Sequence, residues 1–320
     1  MSLADSAHDT YDDLHAVVER FFRASFSTDN PVITEAIKRM LAAGGKRLRP
    51  RITLLSAEAC GGNYADHVHL AAYMELIHVA TLVHDDVVDN AQTRRGVNAT
   101  AVDYGNRVSV LAGDYLFAWI FKNVTLNYPH PIPNVLSATL ADICDGEVLQ
   151  LQALGNLDLP IETYVEIARK KTASLFAASA TCGAIMGGGG LRQIAALQRF
   201  GEAFGVAFQM RDDLLDVTAD ERSLGKPAAN DLTERKTTLP LIAALAAGNG
   251  DFRSLVRRFY DAGANDAIPA IVEAIGREGG VAATREQIAR FVAGAKTALE
   301  PIEDGAAKRE LVKLTEALAS

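Results

Sequence analysis

The chain has 320 residues, which is enough for one large domain or two smaller ones. Hydrophobic residues make up 49% of it and charged residues 22%, which is ordinary for a soluble globular protein. The net charge of −8, with no visible basic stripe, argues against a nucleic-acid partner.

Cysteine usage and hydrophobicity predict a cytoplasmic protein without a transmembrane span. Cys60, Cys144 and Cys182 are few and odd in number, as in a reducing compartment, and each is predicted to be a small buried residue. No charged segment followed by an apolar run opens the chain, so no secretory signal is expected. The uncharged stretch 173–191 is long enough to span a membrane. Its four consecutive glycines at 187–190 would end a helix, so we predict a buried helix followed by a loop.

Helical patterns dominate the chain, and strand patterns are scarce. Asn30 is a predicted N-cap, with Pro31 in the first helical position. The predicted helices are 11–26, 31–41, 48–59, 67–90, 108–127, 134–154, 161–186 and 191–217, followed by several shorter ones from residue 239 to the end. Long helices joined by short turns predict a single all-α domain over residues 1–320, in which residues 1–8 are disordered.

Two glycines interrupt the helical pattern of 191–217. Gly201 and Gly205 lie four residues apart, and therefore one helical turn apart. Glycine lowers helix stability, so we expect a compensating close approach of a neighbouring backbone.

Two acidic clusters of identical layout end long apolar segments, Asp-Asp-Val-Val-Asp at 85–89 and Asp-Asp-Leu-Leu-Asp at 212–216. On a helix, the first and last aspartates of each cluster share one face. Two such faces side by side would repel each other unless cations lay between them. Mg²⁺ prefers oxygen ligands and commonly joins one or two carboxylates to a substrate phosphate. The pair of clusters predicts a magnesium–phosphate site, whereas either cluster alone could be a solvated helix end.

Basic residues near the clusters are candidate phosphate ligands. The segment Gly-Gly-Lys-Arg-Leu-Arg-Pro at 44–50 combines glycines, which let a ligand approach the backbone, with cations that bind anions. His78 precedes Asp85 by about two helical turns, although alone it could be a satisfied core residue. The polar segment 225–235 could close as a lid. Further candidates, each of which alone could be a solvated surface cation, are Arg94, Arg95, Lys171, Lys226 and Lys236.

The combined pattern resembles the trans-isoprenyl diphosphate synthase family, most closely its long-chain members of the octaprenyl diphosphate synthase type. The matching motifs, in chain order, are 44–50, 85–89 with Arg-Arg-Gly at 94–96, Gly-Asp-Tyr at 113–115, Lys-Thr at 171–172 and 208–216, together with Lys226 and Lys236. The resemblance covers most of the chain, and no hallmark residue is missing. It implies a large helical bundle of the isoprenoid synthase type with its active site in the central cavity.

The resemblance also implies an activity and a role for each motif residue. The chain would condense isopentenyl diphosphate with an allylic diphosphate by head-to-tail 1′-4 addition, with three Mg²⁺ ions as cofactor. The implied metal ligands are Asp85, Asp89 and Asp212. The implied ligands of isopentenyl diphosphate are Lys46, Arg49, His78 and Arg95. Those of the allylic diphosphate are Arg94, Lys171, Lys226 and Lys236. The implied catalytic residues are Lys171, Thr172 and Gln209.

The resemblance implies that residues preceding the first acidic cluster control product length. In the family, aromatic side chains four or five residues before this cluster form a floor that stops growth at farnesyl length. Here these positions are Thr81 and Ala80, and Ile77 lies about one turn deeper. The small side chains imply an open tunnel and a long all-trans product of the quinone side-chain type.

The sequence is also compatible with three alternatives. A farnesyl or geranylgeranyl diphosphate synthase would differ in how far the tunnel extends. A terpene cyclase-like lyase should lack a second diphosphate site, so segment 44–50 and Arg95 count against it. A non-catalytic subunit should have lost one acidic cluster. The sequence does not specify the allylic primer, and the resemblance implies a homodimer.

Overall fold

The computed structural model describes residues 14–26, 28–42, 45–94, 96–219, 229–248, 250–262 and 265–319. Within these ranges the chain is almost entirely helical, which confirms the predicted all-α class. Residues 1–8, for which disorder is predicted, lie outside them.

The helices follow one another with short connections. In chain order they are α1 Leu14–Ser25, α2 Pro31–Ala42, α3 Leu48–Ala59, α4 Val68–Val88, α5 Thr100–Asn127, α6 Pro131–Ala153, α7 Ile161–Ala168, α8 Ser174–Met186, α9 Leu191–Thr218, α10 Asn230–Thr233, α11 Leu239–Ala247, α12 Gly250–Ala262, α13 Ile268–Arg277, α14 Gly280–Ala298 and α15 Ala306–Glu316. A π-helical segment, Arg169–Ala173, joins α7 to α8, and 3₁₀ turns occupy Tyr64–His67 and Asn265–Ala267. Strands β1 (Thr93–Arg94) and β2 (Val97–Asn98) pair antiparallel.

Three features differ from the predicted elements. The predicted helix 161–186 contains the π-helical segment, and α5 begins at Thr100 rather than at residue 108. Gly105 bends α5 near its start, with φ 78°. The hairpin formed by β1 and β2 was not predicted, because strands of two residues are too short to show an alternating pattern.

Local signals at helix ends are confirmed. The Asn30 side chain accepts hydrogen bonds from the N–H groups of Val32 (3.0 Å) and Ile33 (3.4 Å), as an N-cap does. The glycine run separates α8 from α9, and Gly188 has a φ of 80° that favours glycine. Among the described helices, none combines the length and the apolar character that a membrane crossing requires.

The prediction that all three cysteines are buried is wrong for one of them. Cys182 is buried and Cys60 is partly buried, but Cys144 is exposed. Cys144 shares a helical face of α6 with Val148 and Leu151, which are also exposed. The apolar character of the Cys144 side chain therefore did not predict its position correctly.

The chain divides into two compact units. The first consists of the described parts of Met1–Ser137, Ala178–Gln198 and Pro301–Leu311. Its central helix is α4, which packs against α1, α2, α3 and α5. Because α4 is apolar on most sides and largely buried, the acidic cluster at its end is carried by a well-packed element.

The second unit consists of the described parts of Ala138–Ala177, Arg199–Glu300 and Val312–Ser320. Its helix α11 packs against α7, α13 and α14. Side chains from α11, α12 and α13, among them Leu241, Phe252 and Ile271, form a buried apolar cluster.

The expected close backbone approach at Gly201 and Gly205 is confirmed. A Cβ atom on Gly205 would lie 2.4 Å from the Cα of Ala173, and one on Gly201 would lie 2.6 Å from the carbonyl oxygen of Phe176. A real Cβ atom is not found this close to another heavy atom, so only glycine fits at these two positions. The two glycines thus allow α9 to pack directly against the backbone of the π segment and of the start of α8. Gln209, one turn beyond Gly205, is thereby brought next to Thr172.

Replacing Gly205 with alanine should destabilise the protein. We expect Gly205→Ala to lower the free energy of unfolding by about 1–3 kcal/mol, because the added methyl group overpacks a backbone contact. Gly294→Ala in α14 is the matched control, since a Cβ there meets no atom within 4 Å. Alanine in that open helical position should raise stability by up to about 1 kcal/mol. Urea denaturation followed by circular dichroism measures both, and a stabilising Gly205→Ala would contradict the packing described.

Candidate active site

The first acidic cluster forms the last turn of α4. The N–H of Asp89 donates to the carbonyl of Asp85 at 2.8 Å, so helical geometry persists through the cluster. Asp85 and Asp89 are therefore one turn apart on the same face, as predicted. Both are partly exposed, whereas Asp86 is buried.

The buried Asp86 ties the hairpin to the end of α4. Its Oδ1 accepts a hydrogen bond from Arg94 Nε at 2.7 Å and another from Arg94 Nη2. Burial disfavours the charged form of Arg94, but the hydrogen bonds and the negative charges of the cluster outweigh it, so the pKa of Arg94 lies above its ordinary value. Two of its nitrogens are thus committed to Asp86, and a role for Arg94 in binding diphosphate stays a prediction.

A second contact seats α5 against the same turn of α4. A Cβ on Gly113 would lie 2.3 Å from His84 Nε2, so only glycine leaves room for this ring. His84 Nε2 donates to the carbonyl of Val110 at 3.1 Å and lies 3.6 Å from the carboxylate of Asp114. This contact gives the Gly-Asp-Tyr motif a structural role beside the first acidic cluster.

The basic segment before α3 is held by a buried ion pair. Arg47 Nη1 donates to Glu75 Oε1 at 2.6 Å, and Arg47 Nη2 donates to the carbonyl of Leu41 at 3.1 Å. Both charged side chains are only 3% exposed. Arg47 also has a positive φ of 48°, which is uncommon outside glycine.

The buried Arg47–Glu75 ion pair, called the Arg47–Glu75 clamp below, fixes the segment that carries two neighbouring cations. Lys46 is exposed beside it, and Arg49 is buried in the first turn of α3. Glu75 precedes the partly buried His78 by three residues on α4, so the clamp fixes the basic segment relative to that helix. Gly44, the first residue of the motif, lies outside the described residues.

The second acidic cluster lies near the end of α9; it resembles the first in its accessible first and buried second aspartate but differs at the third. Asp212 is exposed, whereas Asp213 and Asp216 are buried. Asp216 Oδ2 accepts a hydrogen bond from the N–H of Asp231 at 3.1 Å, and its carbonyl accepts one from Ala229 at 2.8 Å. Asp216 therefore anchors the start of α10, and the outward carboxylate of this cluster is that of Asp212.

The predicted residues Thr172 and Gln209 are joined in a hydrogen-bonded chain. Thr172 Oγ1 donates to Gln209 Oε1 at 2.6 Å, and Gln209 Nε2 donates to Asp213 Oδ1 at 2.7 Å. Tyr164 donates its hydroxyl hydrogen to Asp213 Oδ2 at 2.6 Å. Burial raises the pKa of Asp213 to about 6, although the hydrogen bonds from Tyr164 and Gln209 act in the opposite direction. Burial and the charge of Asp213 hold the pKa of Tyr164 well above its ordinary value.

Lys171 and Thr172 lie in the π-helical segment, a distortion that is frequent at functional sites. A Cβ on Gly146 of α6 would lie 2.6 Å from the backbone nitrogen of Lys171, so α6 supports the segment by direct backbone contact. Lys171 Nζ donates to Gln150 Oε1 at 2.7 Å and forms an ion pair with Glu147.

The other predicted site residues lie in several parts of the chain. Lys236 is largely buried and forms an ion pair with Glu234. Arg95 and Lys226 lie outside the described residues. Ala80 and Ile77 are buried in α4, and the partly buried Thr81 donates its hydroxyl hydrogen to the carbonyl of His78 at 2.8 Å.

No group of three or more Asp, Glu, His or Cys residues in the described part of the chain lies close enough to hold a metal ion alone. The clusters nevertheless fit Mg²⁺. The carboxylates of Asp85, Asp89 and Asp212 have access to solvent and are of the oxygen type that Mg²⁺ prefers, whereas Asp86 and Asp213 are buried and hydrogen-bonded. Mg²⁺ typically uses one or two carboxylates and completes its octahedral shell with water and phosphate oxygens.

Sequence reasoning missed the anchoring aspartates and Tyr164. The signal for Asp86 and Asp213 was present, because each is the second residue of its cluster, but the pattern alone does not show which carboxylate is buried. Tyr164 carried no signal, since it belongs to no motif and reaches Asp213 across 49 residues.

Comparison with known proteins places the chain among prenyl synthases. The family model described as polyprenyl synthetase matches residues 30–275. The chain is 36% identical over 289 residues to octaprenyl diphosphate synthase of Escherichia coli K12, covering 90% of each. It is 37% identical over 299 residues to a short chain isoprenyl diphosphate synthase of Methanothermobacter thermautotrophicus, covering 92% of each. The crystal structure of polyprenyl synthase from Caulobacter crescentus CB15, complexed with calcium and isoprenyl diphosphate, superposes with a TM-score of 0.92 at 35% identity, covering 98% of this chain and 96% of that one.

Removing Arg47 should be costly because it leaves the buried Glu75 carboxylate without its cation. We expect Arg47→Met to lower the free energy of unfolding by about 3–5 kcal/mol. The double variant Arg47→Met with Glu75→Leu should recover most of this loss, because no buried charge remains. Arg51→Met is the control, since its ion pair with Glu310 is partly exposed and should contribute less than about 1 kcal/mol. Chemical denaturation measures all three, and a double variant as unstable as Arg47→Met would show that the charge is not the cause.

Proposed function

The chain belongs to the polyprenyl synthetase family, and we propose that it makes a long-chain all-trans polyprenyl diphosphate of the quinone side-chain type. It is a trans-prenyltransferase, which joins isopentenyl diphosphate head to tail to an allylic diphosphate by 1′-4 addition. The observation that supports this function most is the shared construction of the acidic clusters, in which the first aspartate has access to solvent and the second is buried and held.

We assign metal binding to Asp85, Asp89 and Asp212, with three Mg²⁺ ions as the proposed complement. The Caulobacter relative, which was crystallised with calcium and isoprenyl diphosphate, supports a divalent cation. Bound Mg²⁺ would neutralise the allylic diphosphate and stabilise the charge that develops on departing pyrophosphate.

Two sets of cations are proposed to bind the two diphosphates. The set for isopentenyl diphosphate consists of Lys46, Arg49, His78 and Arg95. The set for the allylic diphosphate consists of Arg94, Lys171, Lys226 and Lys236. The Arg47–Glu75 clamp supports the first assignment, because it holds Lys46 and Arg49 in a fixed segment beside α4. The π segment supports the second, because it presents Lys171 next to Thr172.

The reaction needs no nucleophilic side chain. The allylic C–O bond breaks, its electron pair leaves with pyrophosphate, and an allylic cation remains. The double bond of isopentenyl diphosphate attacks this cation and forms the new C–C bond. Loss of a proton, with pyrophosphate as the proposed base, restores a double bond. Thr172 and Gln209 contribute neutral oxygens beside the cation, and Lys171 stabilises the leaving group.

The preference for a long product rests on α4. Tyr73, Ile77, Ala80 and His84 follow one another at helical spacing and form one stripe. Tyr73 and His84, at its two ends, contact Trp119 and Phe117 of α5. Ala80 is fully buried within this stripe, so an aromatic side chain there would extend into the protein interior. Since the similar proteins include both an octaprenyl and a short-chain synthase, the small Ala80 is what favours long chains. The alternative is a farnesyl or geranylgeranyl diphosphate synthase.

We also propose a cytoplasmic homodimer. Helix α5 exposes Val110, Leu111 and Leu126, and the last is 72% exposed. Apolar side chains directed outward along one helix are suited to pairing with a second copy. Sedimentation equilibrium would give a single-chain mass if this is wrong.

The activity is tested by incubating the purified chain with Mg²⁺, an allylic diphosphate and isopentenyl diphosphate, and sizing the dephosphorylated products by mass spectrometry. A long-chain synthase gives a long polyprenol, and only when both substrates are present. A cyclase-like lyase would release a hydrocarbon from the allylic diphosphate even when isopentenyl diphosphate is left out. A non-catalytic subunit would give no product.

Removal of metal-binding carboxylates should stop turnover without unfolding the protein. We expect Asp85→Ala, Asp89→Ala and Asp212→Ala each to lower kcat by a factor on the order of 100 or more, because the leaving group loses electrostatic stabilisation. Their melting temperatures should hold or rise, because like charges are removed. Asp66→Ala, at an exposed site outside both clusters, is the control. Near wild-type rates in the presence of EDTA would exclude the metal mechanism.

A large side chain at Ala80 should shorten the product. Ala80 lies about 8 Å below Asp85 along α4, a depth reached by a tail of few isoprene units. We expect Ala80→Phe to remain active and to stop near C15 to C20, because close-packed walls cannot move aside for the ring. Ile77→Phe, one turn deeper, should stop growth later. If both variants folded and made the wild-type product, this stripe would not line the tunnel.

A further inference from the structure

The hydrogen-bonded chain from Tyr164 to Thr172 has a direction. Both oxygens of Asp213 accept, one from Tyr164 and the other from Gln209. The amide of Gln209 therefore presents its NH₂ group to Asp213 and its oxygen to Thr172. A threonine hydroxyl has one hydrogen, and here Thr172 gives it to Gln209.

We propose that Asp213 and Tyr164 are positioning residues that set this direction, so that Thr172 presents oxygen lone pairs, and not its hydrogen, to the allylic cation. The proposal rests on the function above, because it requires Thr172 to lie beside the reacting carbon. Neither residue is assigned a contact with substrate; both act through Gln209.

Asp213 and Tyr164 have different roles in this hydrogen-bonded chain. Asp213 is 4% exposed, and its ionised carboxylate, which can only accept, dictates the orientation of the Gln209 amide. Tyr164, 5% exposed, occupies the second carboxylate oxygen and fixes its rotation. The contact of Gly205 with Ala173 fixes the distance between α9 and the π segment. No further donor can therefore enter between Gln209 and Thr172.

The consequence for the reaction is electrostatic. A hydroxyl whose hydrogen is directed away from a developing cation presents the negative end of its dipole to it. Preoriented dipoles of this kind lower the barrier without reorganising during reaction. A reversed chain would direct the Thr172 hydrogen towards the cation and raise the barrier.

Asp213→Asn tests the direction, because its amide can donate to Gln209 and allow the chain to reverse. We expect kcat to fall by roughly 10–100-fold, with the KM of both diphosphates changed less than about threefold. Tyr164→Phe, which leaves Asp213 an acceptor but less constrained, should lose a smaller factor. It also serves as the second variant should Asp213→Asn fold poorly, which thermal melting will show.

Binding provides a readout apart from turnover. The probes are two unreactive allylic diphosphate analogues, one with a sulfur bridge and one carrying an ammonium group in place of the cationic carbon. Calorimetry with Mg²⁺ present should show that wild type favours the ammonium analogue. Asp213→Asn should lose roughly tenfold of that preference and bind the neutral analogue as before.

Double variants decide whether Asp213 acts through Thr172. Asp213→Asn should lower kcat most in the Thr172→Ser background, which keeps the hydroxyl, and clearly less in Thr172→Val, where only the reorientation of the Gln209 amide remains. An equal loss in both backgrounds, or a parallel change in Mg²⁺ requirement, would overturn the proposal. If wild type makes no prenyl product, the proposed function itself fails; if it is active but the ammonium preference is unchanged in Asp213→Asn, only this inference does.

Discussion

A carboxylate removed from water must be compensated by hydrogen-bond donors or cations inside the protein, and this requirement organises the residues around both acidic clusters. Asp86 is compensated by Arg94, which fixes the hairpin to the end of α4. Asp213 is compensated by Tyr164 and Gln209, which fixes α9 to α7 and to the π segment. In each cluster the second aspartate is buried and holds the structure, and the first, Asp85 or Asp212, keeps access to solvent.

Close backbone contact is the second constraint, and it acts through glycines that meet the π-helical segment. Gly146 of α6 lies against Lys171, and Gly205 of α9 lies against Ala173. Such contacts leave little freedom in the distance between these elements. The side chains of Thr172 and Gln209 are therefore held at hydrogen-bond distance by backbone packing and not by their own interaction alone.

These constraints agree with a chemistry that depends on electrostatics. Ionisation of an allylic diphosphate and attack by a double bond require charge stabilisation at the leaving group and at the cation. A fixed basic segment, outward carboxylates and an oriented hydroxyl provide groups of the required kinds. In the proposed function, the length of the product depends separately on the volume of side chains such as Ala80, which is buried in the first unit.

The sequence by itself determined the helical class, the N-cap at Asn30, the close contact at Gly201 and Gly205, and the position of both acidic clusters at the ends of long helices, because each depends on local spacing and residue type. It did not determine that Cys144 is exposed, that two residues on either side of Arg95 and Gly96 pair as strands, or that a π-helical segment interrupts the run from α7 to α8. It also gave no sign of Tyr164. Which aspartate of a cluster is buried, and which tyrosine or arginine compensates it, depends on elements far apart in the chain. Only the tertiary structure decided these pairings, because burial and hydrogen-bond geometry arise when those elements pack together.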